Sequence, residues 1–147
     1  MKSCTFFGHR DTPESVRYDL KKVLIDLIEN EGVSIFYVGH NGRFDSMVLS
    51  ELKLFSTVYR HIHYFLVIEG IPVGKPDFGV TEEHLLLPDF IIGNTPEKFA
   101  IDRRNGWMVN QSDYVVTYVW KAAGGARKFK ERAEKKNKTV INLYKEE

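Results

Sequence analysis

Cysteine is almost absent from this chain. Cys4 stands alone, so no disulfide can form within the chain, and a zinc site built on paired cysteines is excluded. A surplus of one charge is missing too: 21 Lys and Arg face 20 Asp and Glu, a formal net charge of +1. Without a clustered basic excess there is no electrostatic case for a membrane surface or for general nucleic-acid binding, and neither partner is expected. The most basic stretch, Arg127 to Lys138, is interrupted by Glu131 and Glu134 and reads as the solvated face of a helix. No apolar run approaches membrane-spanning length, and the segment after Met1 lacks the apolar stretch of a signal peptide. A reduced, cytoplasmic setting is the resulting expectation. Internal repeats, linkers and low-complexity tracts are also lacking.

What is there fits one domain over residues 1–147, with 43% hydrophobic residues to build a core. Short apolar runs alternate with longer amphipathic ones. Strands are predicted at Ser3–Phe7, Ser34–Val38, Tyr64–Ile68, Tyr114–Trp120 and Thr139–Leu143. Thr12-Pro13-Glu14 has the form of a helix start, with Thr12 as N-cap. Further helices are predicted over Arg43–Arg60, over Glu97–Gln111 despite Gly106, and from Gly124-Gly125 to about Lys136. Glu69 to Pro96 holds four of the five prolines and reads as a long connection with at most one short element. This alternation predicts a Rossmann-like α/β fold, a mostly parallel five-stranded sheet of order 3-2-1-4-5 with helices on both faces. Ligands of such sheets sit at the carboxyl ends of the strands, beside the first strand.

Three glycine turns fall at strand ends that this topology gathers: Gly8-His9-Arg10, then Gly39-His40-Asn41-Gly42 followed by Arg43-Phe44-Asp45, then Gly124-Gly125-Ala126. Glycine lets a backbone turn sharply or approach a ligand closely. A helix that starts just after such a turn offers unpaired amides and a positive dipole end to a phosphate. The competing reading is that βα turns need glycine in any case. Arg10 could grip a phosphate with two parallel hydrogen bonds, or pair with Asp11 or Glu14 at the surface. His9 and His40 could contact a ligand or serve as acid or base; each could equally be a packing residue. Asp45, in the first turn of a helix, could accept from a ribose hydroxyl or merely favour the helix dipole. Arg104 shares a helix face with Met108 and should lie against the protein, with Arg103 beside it as a second candidate. His61 and His63 make no metal site, Cys4 reads as an inert buried thiol, and Trp107 and Trp120 read as core. The residues call for no metal and no cofactor.

In these features the chain resembles the SLOG superfamily, which groups the DNA-processing protein DprA with the "Lonely guy" (LOG) phosphoribohydrolases. It is most similar to the small YpsA-like branch. Phe6-Phe7-Gly8-His9-Arg10, Phe36-Tyr37-Val38-Gly39 with Asp45, Arg104 with Trp107-Met108-Val109, Ser112-Asp113-Tyr114 and Gly124-Gly125-Ala126 carry the likeness. It implies a pocket for a phosphate-bearing nucleotide derivative, held as a sensor or sequestering module, and a homo-oligomer. LOG hydrolases carry an arginine–lysine pair four residues before a methionine and a PGGxGTxxE motif. Here Asn105 stands for the lysine, Ala123 for the proline, and Arg127-Lys128 for the Gly-Thr step, while Glu131 falls where the catalytic glutamate would be. An alternative implied by the resemblance is therefore a nucleoside 5′-monophosphate phosphoribohydrolase that uses Arg104 and Glu131. A second alternative is a DprA-like scaffold or DNA-associated module.

Overall fold

The first strand is buried on both faces, its Ser3 and Thr5 included, as befits the centre of the sheet. In the computed structural model, which describes residues 1–89 and 96–145, β1 (Lys2–Gly8) buries its five interior residues on both sides. The chain continues through α1 (Val16–Glu29), β2 (Val33–Val38), α2 (Arg43–Val58) and β3 (His63–Val67). A 3₁₀ turn (Glu82–His84) leads into β4 (Leu85–Leu86), followed by α3 (Glu97–Gln111), β5 (Tyr114–Tyr118), α4 (Gly125–Lys135) and β6 (Thr139–Asn142). The sheet order is β4-β3-β2-β1-β5-β6, and every pairing is parallel.

The predicted order 3-2-1-4-5 survives as β3-β2-β1-β5-β6, but the sheet has six strands rather than five. The extra strand comes from the segment read as a connection: Leu85 and Leu86 pair with Leu66 and Val67 at the sheet edge. Two residues are too few to show an alternating pattern. The rest of that predicted connection includes residues 90–95, which lie outside the described residues.

Two cores form, one on each face of the sheet. Leu20, Leu24 and Leu27 of α1 and Phe44, Met47, Val48 and Leu52 of α2 close one face over Phe6, Phe36 and Val38. Met108 and Val109 of α3 and Phe129 and Ala133 of α4 close the other over Phe7 and Val115. Cys4 is fully buried in β1, and burial pushes its thiol far above the ordinary value, so it is packing and not a nucleophile.

One helix boundary departs from the sequence reading. Thr12 does not cap α1, which begins at Val16 with Ser15 before it. Thr12 is buried, and its hydroxyl donates back to the His9 carbonyl at 2.6 Å, which tightens the turn after β1. Fastened into that turn, Thr12 lies before the first turn of α1, whose N-cap position falls to Ser15. The chain leaves β1 for β2 on one side, and β5 lies on the other. The carboxyl end of β1 is thus the switch point where a crevice must open.

Candidate functional site

A cleft of about 340 Å³ opens at that switch point, floored by the end of β1 and walled by α3 and the β5–α4 turn. Of the sequence candidates, Gly8, His9, Arg10, Asp45, Arg104, Gly124 and Gly125 line it. Gly39, His40 and Gly42 stand behind its lining. Arg103 and Glu131 are elsewhere.

The glycines divide by what holds them. Gly8 lets α2 dock against β1: a Cβ there would lie 2.6 Å from Phe44 Cβ and within the volume of its ring. Gly42 has φ +103°, and a Cβ on it would stand 2.7 Å from Arg10 Cα. There two turns press backbone to backbone, tied by the Arg43 amide donating to the Arg10 carbonyl at 3.0 Å. These two are explained by the fold. At the third turn, Gly124 precedes α4 with φ +111°, and a Cβ on Gly124 or Gly125 would meet nothing within 4 Å. The space before these two is the cleft itself. No side chain caps α4 and no acid sits in its first turn, so its leading amides keep their positive end toward that space.

Two cations line the cleft as well. Arg10 is exposed, and its side chain makes no hydrogen bond or ion pair with any described residue. The surface pairs anticipated for it belong to others: Asp11 takes Lys121 at 3.1 Å, and Glu14 takes Arg17. Lys121, which the sequence reading passed over, also lines the cleft.

His9 is a pin. Its Nε2 accepts the backbone amides of Trp120 at 3.1 Å and Lys121 at 3.2 Å, which ties the end of β1 to the turn after β5. A nitrogen that accepts two N–H groups carries no proton, so the ring is neutral with its proton on Nδ1. Burial, and then the Lys121 charge, pull the imidazole below its ordinary value. Of the two roles read from sequence, the packing role is the one its bonds describe. Trp120, expected in the core, is about half exposed beyond the end of β5, and its ring meets His9 edge-on at 5.6 Å.

The inner wall is a polar network around Arg104, which is 2% exposed on the face of α3 that also carries Met108. Its guanidinium donates to Asn41 Oδ1 at 2.7 Å, Glu69 Oε2 at 3.3 Å and Asn105 Oδ1 at 3.1 Å. Glu69 also holds His40 Nε2 at 2.6 Å, and this imidazole keeps the Glu69 carboxyl below the usual carboxylate range. His40 thus serves the network from behind, and its ring packs edge-on to Phe78. A Cβ on Gly39 would lie 3.0 Å from Asp45 Oδ2 and 3.1 Å from Arg104 Cζ, so glycine leaves those two groups their room. Glu69 and Asn41 were missed in the sequence. The available signal was an acid placed directly after the apolar run of β3, at the carboxyl edge where ligands gather.

Asp45 lies in the first turn of α2, and its Oδ2 accepts the Asn41 amide at 2.9 Å. Burial pushes its carboxyl up to about 6, although the Asn41 amide, Arg104, His40 and Arg10 all favour the anion. A carboxyl that holds its proton more tightly folded than unfolded takes stability away as pH rises between the two values. Asp45→Asn should therefore raise Tm at pH 8, by the equivalent of roughly 3 kcal/mol at most. That gain should shrink as pH falls below 6 and vanish below about 4. Thermal melts across that range check it; an equal change at pH 8 and pH 4 would contradict the buried-anion account.

Arg103 projects from the other side of α3, into a depression shared with Phe99, Trp107 and Arg132. One residue along a helix is a 100° rotation, so the two arginines cannot serve one cleft. Glu131 sits on α4 in a basic depression with Lys128, Arg132 and Lys135, paired to Arg127 at 3.6 Å. It does not reach Arg104. Among the described residues, no group of three or more His, Cys, Asp or Glu could hold a metal ion. None of their helices is long and apolar enough to cross a membrane.

Fold and cleft together define a class: a Rossmann-like α/β protein with its crevice at the sheet's switch point. The chain matches the X-ray structure of DNA processing protein A (DprA) from Streptococcus pneumoniae with a TM-score of 0.65 and 20% identity. The match covers 95% of this chain and 49% of that one, so this chain spans about half the length of that protein. At this identity the likeness establishes a shared Rossmann-like fold. No protein-family model and no curated protein matches the sequence.

Proposed function

We propose that the cleft binds a phosphate-bearing nucleotide derivative, and that the protein acts as a sensor or sequestering module, a homo-oligomer of the SLOG type nearest its YpsA-like branch. One observation carries this reading: the unpaired guanidinium of Arg10, Lys121 and the uncapped start of α4 line one cleft of about 340 Å³. Backbone amides at a helix start and a free arginine together form an anion site. The volume suits one nucleotide, at the lower end of the range for small-ligand pockets. The Arg104–Glu131 hydrolase is set aside, because Glu131 lies on an exposed face of α4 paired to Arg127, outside the cleft that Arg104 lines.

Binding of nucleoside 5′-monophosphates by titration calorimetry tests the proposal. Arg10→Ala should weaken binding by about 1.5–3 kcal/mol, or roughly 10- to 150-fold, because a charge-assisted bond is lost without disturbing the fold. Undiminished affinity in that variant would remove Arg10 from the site. The match to DprA over 95% of the chain supports a second reading, a DNA-associated module. That reading predicts an oligonucleotide mobility shift that weakens steeply with salt.

A further inference from the structure

We infer that the cleft selects ribose over deoxyribose, with Asp45 as the residue that accepts the ligand's 2′-hydroxyl. The inference rests on the nucleotide reading above. Only one oxygen of the Asp45 carboxylate is engaged: Oδ2 takes the Asn41 amide, while Oδ1 accepts nothing from the described residues. Oδ1 is not sealed in either, since no buried side-chain oxygen among the described residues lacks a partner. It therefore opens onto the cleft that Asp45 lines.

Nearby positive charge does not satisfy this oxygen. The Arg104 guanidinium, the most buried cation of the cleft, donates to Asn41, Glu69 and Asn105, and forms neither an ion pair nor a hydrogen bond with Asp45. A carboxylate has only acceptor capacity, so the free oxygen takes a donor from the ligand and repels a phosphate. The cleft thus offers groups of both signs: Arg10 and Lys121 take the anion, and Asp45 takes a hydroxyl-bearing part of the same small ligand. A ribose carrying a 5′-phosphate has that arrangement. A sugar without the 2′-hydroxyl would enclose the Asp45 oxygen without a donor, and sites built to bond a hydroxyl discriminate strongly against analogues that lack it.

The test uses an equimolar mixture of the four ribonucleoside 5′-monophosphates and the matching 2′-deoxy mixture, each titrated into the whole protein. The wild type should bind the ribo mixture at least tenfold more tightly. In Asp45→Asn that ratio should fall to near one through loss on the ribo side alone, since an amide offers a weaker acceptor. The wild-type comparison stands by itself if the variant does not fold. Equal affinity of the two mixtures for the wild type would overturn the role of Asp45 and leave the nucleotide cleft standing. Binding of neither would overturn both.

Discussion

Arg104→Ala should lose about 3–5 kcal/mol of stability, a large share of what a domain of this size possesses. The reason is the company the arginine keeps. Its guanidinium is buried and holds the β2–α2 turn through Asn41 and the end of β3 through Glu69, so three segments meet on one side chain. Burial pulls the guanidinium below its ordinary value while Asp45 and Glu69 push the other way, yet an arginine remains charged. Removing it leaves the Asp45 and Glu69 carboxylates without the cation that both act on. Glu69 keeps its bond to His40 and stays an anion, so Asp45 should answer by taking up a proton at a still higher pH. Arg104→Met keeps most of the volume and isolates the charge from the cavity. Combined with Glu69→Gln, it should recover part of the loss, and the coupling between the two changes measures their interaction. Urea denaturation of the four proteins supplies the numbers. A cost below about 1 kcal/mol for Arg104→Met would mean that the guanidinium is held in place by the fold without supporting it, and belongs to the ligand.

Much of this architecture was legible because periodicity and glycine punctuation report burial directly. The central strand shows as a short β-rich run stopped by Gly8, and α3 as a helix whose Arg104–Met108 face had to lie inward. What escaped detection was set by tertiary contact. The pairing that makes Leu85 and Leu86 a strand is supplied by Leu66 and Val67, not by any local pattern. Thr12 has the form of an N-cap and acts as a turn fastener, because its hydroxyl donates to the His9 carbonyl and α1 starts only at Val16. Glu131 holds a promising sequence position, but its rotation about α4 turns it toward Arg127. The three glycine turns were read as one kind of feature and are two. Those at Gly8 and Gly42 answer to neighbouring side chains and backbone, while that at Gly124-Gly125 faces open space. A sequence names the glycine but not what stands opposite it.

That division makes the last prediction. Gly8→Ala should destabilise the protein by about 3 kcal/mol, the upper end of overpacking costs. The added methyl overlaps the Phe44 ring, and neither party can retreat. Phe44 is 1% exposed within the core beneath α2, and Gly8 is held in register with Tyr118 on the central strand. For a chain of 147 residues, this corresponds to a fall in Tm of about 6–12 °C by differential scanning calorimetry. Adding Phe44→Leu should return part of it by making room for the methyl. Gly125→Ala is the contrast, because its Cβ meets nothing and alanine is the better helix former. That variant should melt no lower than the wild type, while its methyl intrudes where a phosphate would approach the α4 amides. Equal losses of stability at the two positions would mean that close packing does not distinguish them. A stable Gly125→Ala protein with undiminished nucleotide affinity would move the phosphate away from α4 and leave Arg10 and Lys121 to hold it alone.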